Sequence, residues 1–126
     1  MAYKILIVED EEELRELIFL QLEEADREFL FAANGEEAMK ILENNKIDFL
    51  ITDLAMPKMN GFELLRSIKK SNWVFPTLVL TGHADSLVAN QLRPYGVGHF
   101  LNKPWRKDEL MEIVSSTLTK KDKLTG

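Results

Sequence analysis

Three observations in the sequence predict an α/β fold, a parallel sheet doubly wound with helices on both faces. Five short apolar runs alternate with five longer segments of helical period. Several of these runs are apolar throughout and rich in Ile, Val and Leu, as strands covered on both faces should be. The chain has 126 residues and no cysteine, and at this length roughly two-thirds of the unfolded surface is buried, so one domain needs no crosslinks. Strands alternating with helices imply right-handed crossovers between parallel neighbours. Such a sheet leaves a crevice at the carboxyl ends of its strands, where strand order reverses, and function is expected there.

The elements follow in order. Residues 4–8 (KILIV) predict the first strand. Leu14, Leu17, Ile18, Gln21, Leu22 and Ala25 then trace one stripe of a helix, interrupted only by the glutamine. Residues 29–32 predict the second strand. Ala38, Ile41 and Leu42 mark the second helix, opened by Asn34-Gly35 and followed by two acids suited to a helix N-terminus. Residues 49–52 predict the third strand and Phe62, Leu65 and Ile68 the third helix. Residues 77–80 predict the fourth strand. A fourth helix over residues 86–93 rests on Leu87, Val88, Ala89 and Leu92 and ends at Pro94. Residues 99–101 predict the fifth strand, and Leu110, Ile113, Val114, Thr117 and Leu118 the last helix, starting just after Pro104. The domain is expected over residues 1–119, with a polar tail at 120–126 that frays.

Composition narrows the function. Sixteen Lys and Arg face 21 Asp and Glu, for a formal charge of −5, which argues against direct nucleic-acid binding through a basic face. The lack of cysteine excludes disulfides, cysteine-ligated zinc, iron–sulfur clusters and thiol nucleophiles. No apolar run approaches the ~18 residues of a membrane span, and residues 5–8 are too short for a signal peptide's apolar region. A cytoplasmic domain without membrane partners is expected. There is no glycine-rich phosphate loop.

The strand ends carry the chemistry. Strand one runs into Glu9-Asp10, strand three into Asp53, strand four into Thr81 and strand five into Lys103-Pro104. The fold would bring three carboxylates, a hydroxyl and an ammonium to one edge. Clustered carboxylates repel, and either take up protons or bind a cation. Hard oxygen ligands suit Mg2+. A carboxylate beside such an ion can act as a nucleophile and form an acyl phosphate, with Thr81 and Lys103 contacting the phosphoryl oxygens. Taken singly, these residues read otherwise: Glu9 to Glu13 as a charged helix start, Asp53 as a turn or cap, Thr81 as a strand-end threonine, Lys103 as a solvated charge. Their joint placement reverses those readings.

Glu9-Asp10, Asp53, Met56-Pro57-Lys58-Met59-Asn60-Gly61, Leu80-Thr81-Gly82 and Asn102-Lys103-Pro104 resemble the receiver domain of two-component response regulators, over about residues 3 to 119. The resemblance implies a flavodoxin-like sheet in the order 2-1-3-4-5. It implies that Asp53 accepts a phosphoryl group from a sensor histidine kinase or phosphotransfer protein, and that the domain hydrolyses its own acyl phosphate. It also implies that Glu9, Asp10, Asp53 and the main-chain carbonyl of Ala55 hold Mg2+, that Thr81 and Lys103 contact the phosphoryl group, and that the Lys103–Pro104 peptide is cis. The switch it implies moves Thr81 toward the phosphoryl group and turns Phe100 inward. That alters the face of helix four, strand five and helix five for a downstream effector, an output domain or a transient homodimer.

Some positions depart from the family's commoner residues. Glu9 stands where Asp is usual, and Phe100 lacks a tyrosine's hydroxyl. Ala55 can neither hydrogen-bond nor screen an attacking water, whereas the ring of His83 can reach over the site. His83 and His99 otherwise read as exposed loop residues, Trp105 as a packing residue at a helix start, Trp73 as a loop residue, and Gly61 and Gly82 as turn glycines. A competing function is a small Mg2+-dependent phosphatase with an aspartyl-phosphate intermediate, but Asp53-Leu54-Ala55 lacks the second aspartate such enzymes use as general acid. A pseudo-receiver that binds without phosphorylation is disfavoured by the intact set of five site residues. Both a stand-alone regulator and a receiver within a longer chain fit the sequence.

Overall fold

Alternate residues of a strand point to opposite faces, and that period divides the core in two. A computed structural model describes residues 2–82 and 86–125, with side chains through residue 120. It has five parallel strands, β1 (Tyr3–Val8), β2 (Arg27–Ala32), β3 (Phe49–Asp53), β4 (Thr77–Thr81) and β5 (Val97–Asn102), in the order β2-β1-β3-β4-β5. The helices are α1 (Glu12–Leu22), α2 (Gly35–Asn44), α3 (Gly61–Lys70), α4 (Ser86–Leu92) and α5 (Lys107–Thr125). Ile5, Ile7, Phe49, Ile51, Leu78 and Leu80 pack beneath Ile18 and Leu22 of α1 and Leu110, Val114 and Leu118 of α5. Leu6, Val8, Leu50 and Val79 pack on the other face, against Ala38 and Leu42 of α2, Leu64, Leu65 and Ile68 of α3, and Leu92 of α4. Two covered faces explain strands without polar alternation.

Local signals set the helix starts. The Asn34 side chain accepts the Glu37 N–H at 2.9 Å and caps α2. Asn60 and Glu63 form a reciprocal capping box at the start of α3. That box fixes where the loop after Asp53 ends.

The structure departs from the sequence expectations at several places. α1 stops at Leu22, so Ala25 lies beyond it and is exposed, while Leu17 is 41 % exposed. Only part of the apolar stripe faces the sheet. Leu14, Leu17 and Gln21 instead line a groove of about 280 Å³ with Lys103, Pro104 and Trp105. Pro94 does not simply end α4 but sits in a 3-10 turn, Arg93–Tyr95, that continues it. α5 starts at Lys107 rather than just after Pro104, and its backbone stays helical to Thr125. Strands β2 and β5 begin two residues earlier than predicted: in β2 main-chain pairing extends over the polar Arg27 and Glu28, and in β5 it includes the buried Val97, which Gly98 separates from residues 99–101. His99 lies on β5, as the predicted fifth strand placed it, but is half-buried rather than exposed, with Nε2 3.5 Å from Thr117 Oγ1 of α5. Among the described residues, no helix is long and apolar enough to cross a membrane.

Candidate functional site

Strand order reverses between β1 and β3, because the chain passes from β1 outward to β2 and then returns to the other side. Glu9 and Asp10 follow β1 and Asp53 ends β3, so the reversal sets three carboxylates side by side. One oxygen from each of Glu9, Asp10 and Asp53 lies within 4.8 Å of the others. Glu9 and Asp53 are buried and Asp10 is exposed. Thr81 ends β4 one residue beyond the partner of Asp53, and is buried. Lys103 follows β5, its N–H donating to the Thr81 carbonyl at 2.8 Å.

The Lys103 ammonium bridges the cluster. Its Nζ donates to Asp53 Oδ2 at 2.7 Å and to Glu9 Oε2 at 3.1 Å. The other Asp53 oxygen, Oδ1, accepts the N–H of Leu54 at 2.7 Å and of Ala55 at 3.3 Å. The Lys103–Pro104 peptide is cis. Glu9 is held at both ends, its N–H on the Ala32 carbonyl and its carbonyl accepting Nη1 of Arg15 at 2.8 Å.

The electrostatics follow from burial. Loss of solvent and the neighbouring Asp53 charge raise the Glu9 carboxyl from 4.5 to about 7, against the pull of Lys103. Burial works against the Lys103 charge, but the bonds from Asp53 and Glu9 outweigh it, and its pKa is raised. Three carboxylates thus face one fixed ammonium. A set of oxygen donors with excess negative charge fits a small hard divalent cation.

The close approach of Gly61 was not legible as a site feature. It is no turn residue with a left-handed backbone: a Cβ there would overlap the Asp53 carbonyl oxygen and stand 2.8 Å from Leu54 Cα. The glycine lets α3 start directly against the end of β3, and its N–H donates to the Leu54 carbonyl at 3.0 Å. Lys58, in the same loop, has a left-handed backbone with φ 62. Gly82 has open space where a Cβ would stand. The Arg15 contact likewise had no sequence signal. Ala55 is exposed in the loop after Asp53. Phe100 is half-buried on β5, packed toward the α2–α3–α4 side. Trp105 packs against the α1–α5 core, as expected of a helix-start residue, and its indole N–H donates to Gln21 Oε1 at 2.8 Å. His83 lies outside the described residues.

Comparison with known proteins matches this arrangement. The response regulator receiver domain model matches residues 5–115. The chain is 30 % identical over 122 residues to the alkaline phosphatase synthesis transcriptional regulatory protein PhoP of Bacillus subtilis, covering 97 % of this chain and 51 % of that protein. It is 33 % identical over 117 residues to the transcriptional regulatory protein GlrR of Escherichia coli, covering 90 % of this chain and 26 % of that one. The chain therefore spans about half or less of the length of these curated relatives. The signal receiver domain of a putative Luxo repressor protein from Vibrio parahaemolyticus superposes with a TM-score of 0.91 at 26 % identity, covering 100 % of this chain and 99 % of that one. The REC domain of AraT, a response regulator from Geobacillus stearothermophilus, superposes at 0.88 with 29 % identity, covering 100 % of both chains.

Proposed function

The chain belongs to the response regulator receiver domain family, and on that premise we propose that it is a phosphorylation-dependent switch in which Asp53 accepts the phosphoryl group. Receiver domains are signalling modules of two-component systems, not turnover enzymes acting on external substrates. The observation that carries the reading is the Lys103 ammonium 2.7 Å from Asp53 at the strand-order reversal, beside Glu9 and Asp10.

The donor is a phosphohistidine of a sensor histidine kinase or phosphotransfer protein. An Asp53 carboxylate oxygen attacks phosphorus, an O–P bond forms, and the P–N bond breaks with its electron pair leaving on the imidazole. Lys103 and Thr81 hold the equatorial oxygens as charge shifts among them. Glu9, Asp10, Asp53 and the carbonyl of Ala55 would hold Mg2+, which supplies charge neutralisation and orientation of a phosphoryl oxygen when bound. Hydrolysis follows when water attacks phosphorus and the O–P bond to Asp53 breaks, returning the carboxylate and inorganic phosphate, and the methyl of Ala55 offers that water no hydrogen bond.

The output runs through Phe100. Movement of Thr81 toward the phosphoryl group and of Phe100 inward reshapes the α4–β5–α5 face, a shift between two packings biased by new charge. A downstream effector, an output domain or a transient homodimer reads that face. The phosphatase alternative finds no support here, since alanine stands two residues after Asp53. Incubation with acetyl phosphate and Mg2+, followed by intact-mass measurement, tests the proposal. One phosphoryl adduct is expected on the wild type and none on Asp53→Asn; equal labelling of both, or none of either, overturns it.

A further inference from the structure

The glutamine that interrupts the α1 stripe has a partner. Gln21 Oε1 accepts the Trp105 indole N–H at 2.8 Å, across 84 residues of sequence. Trp105 lies two residues after Lys103, and the intervening Pro104 has a ring-restricted φ. Little slack therefore separates the indole from the ammonium that bridges Asp53 and Glu9. The same helix reaches the site's other side, where Arg15 Nη1 donates to the Glu9 carbonyl at 2.8 Å. One rigid helix thus references both the Glu9 segment and the loop that carries Lys103.

We propose that Gln21 and Trp105 are positioning residues for phosphoryl transfer, their hydrogen bond holding the loop so that Lys103 meets the phosphoryl oxygens in register. The inference rests on the reading of Asp53 as phosphoacceptor. Neither residue touches the reacting atoms, and neither belongs to the carboxylate cluster. Small misplacements of a catalytic group cost rate out of proportion to their size. Loss of this bond therefore lowers the rate of phosphoryl transfer but not cation affinity. A purely packing role for α1 would give the opposite result for leucine, which suits an apolar groove better than glutamine does.

The test measures phosphorylation of the full chain by acetyl phosphate at saturating Mg2+, with intact-mass readout of the phosphoryl adduct, and Mg2+ affinity by calorimetry. Gln21→Leu and Trp105→Phe should each lower the maximal rate by roughly three- to tenfold with Mg2+ affinity unchanged. Gln21→Glu keeps the acceptor and should keep the rate. Unchanged rates in both Gln21→Leu and Trp105→Phe, a parallel loss of Mg2+ affinity, or failure of Gln21→Glu to differ from Gln21→Leu would overturn the inference. A wild type that takes no label on Asp53 would instead overturn the functional reading on which it rests.

Discussion

On the proposed reading, proton and cation compete for the Glu9 carboxyl, and its raised pKa sets the scale of that competition. Burial and the adjacent Asp53 raise its pKa from 4.5 to about 7. A carboxyl raised in the native state favours the protonated form there. Between pH 4.5 and about 7 the unfolded chain has released a proton that the native chain keeps, so the Glu9 contribution to stability declines as pH rises through that window. Cation binding at the proposed site would have the opposite dependence, because it would use the carboxylate. At pH 6 about one molecule in eleven has Glu9 ionised and at pH 8 about ten in eleven, so apparent Mg2+ affinity should rise about tenfold across that range. Lys103, with its pKa raised, stays charged throughout.

Calorimetric titration with Mg2+ at pH 6, 7 and 8, at fixed ionic strength, measures this directly. Repeating it in buffers of different ionisation enthalpy counts protons: about 0.9 released per ion at pH 6 and about 0.1 at pH 8. Glu9→Gln should abolish both the Glu9-linked rise in affinity and the matching proton release. Constant affinity from pH 6 to 8 in the wild type, or the same slope in Glu9→Gln, would refute the assignment of the competing proton to Glu9.

Three further outcomes follow from the geometry. Gly61→Ala places a methyl into the Asp53 carbonyl; overpacking of this kind costs about 1–3 kcal/mol, so urea denaturation should show reduced stability and acetyl phosphate labelling should slow, whereas wild-type values in both assays would contradict the close approach. Asn60→Ala removes the capping box of α3 and should cost about 1 kcal/mol, read from the urea midpoint at unchanged slope. His99 is held neutral by burial and by the charge of Lys120, its pKa lowered from 6.5; the unfolded chain takes up the proton first, so its contribution to stability is present above 6.5 and declines as pH falls toward the lower native value. His99→Gln should weaken that acid-side loss in thermal melts.

The residues differ in how far sequence alone places them. The strands were legible because burial on both faces leaves no polar alternation, and residues 5–8 and 49–51 are fully or nearly fully buried. Asp53 and Lys103 were legible because each follows such a run directly, and parallel strands deliver their ends to one edge. α1 was less legible. Its stripe serves two surfaces, with Ile18 and Leu22 on the sheet and Leu14 and Leu17 in the groove beside Lys103. Periodicity marks apolar residues but does not separate a core face from a groove. Gly61 was readable as a turn glycine closing the motif of residues 56–61 but not as a close approach, since the backbone it must admit belongs to a strand eight residues earlier. The contacts of Arg15 with Glu9 and of Gln21 with Trp105 carry no local pattern; they depend on where α1 lies across the sheet.

The charge balance explains why the fold tolerates such a site. Three carboxylates against one ammonium would be strongly unfavourable if all were ionised and buried. Asp10 avoids this by exposure, and Asp53 by two main-chain N–H groups and Lys103. Glu9 is nearly solvent-free and shares Lys103 with Asp53, so its remaining excess is met by a proton held up to about pH 7, which a cation at the proposed site would displace. An arginine or second lysine beside Glu9 would offset the Glu9 charge permanently and lower that carboxyl toward the ordinary range. It would also weaken the negative field that would draw a divalent cation. The raised carboxyl and the proposed cation site are therefore one feature. What destabilises Glu9 as an anion in the folded chain is what leaves the edge of the sheet ready for positive charge.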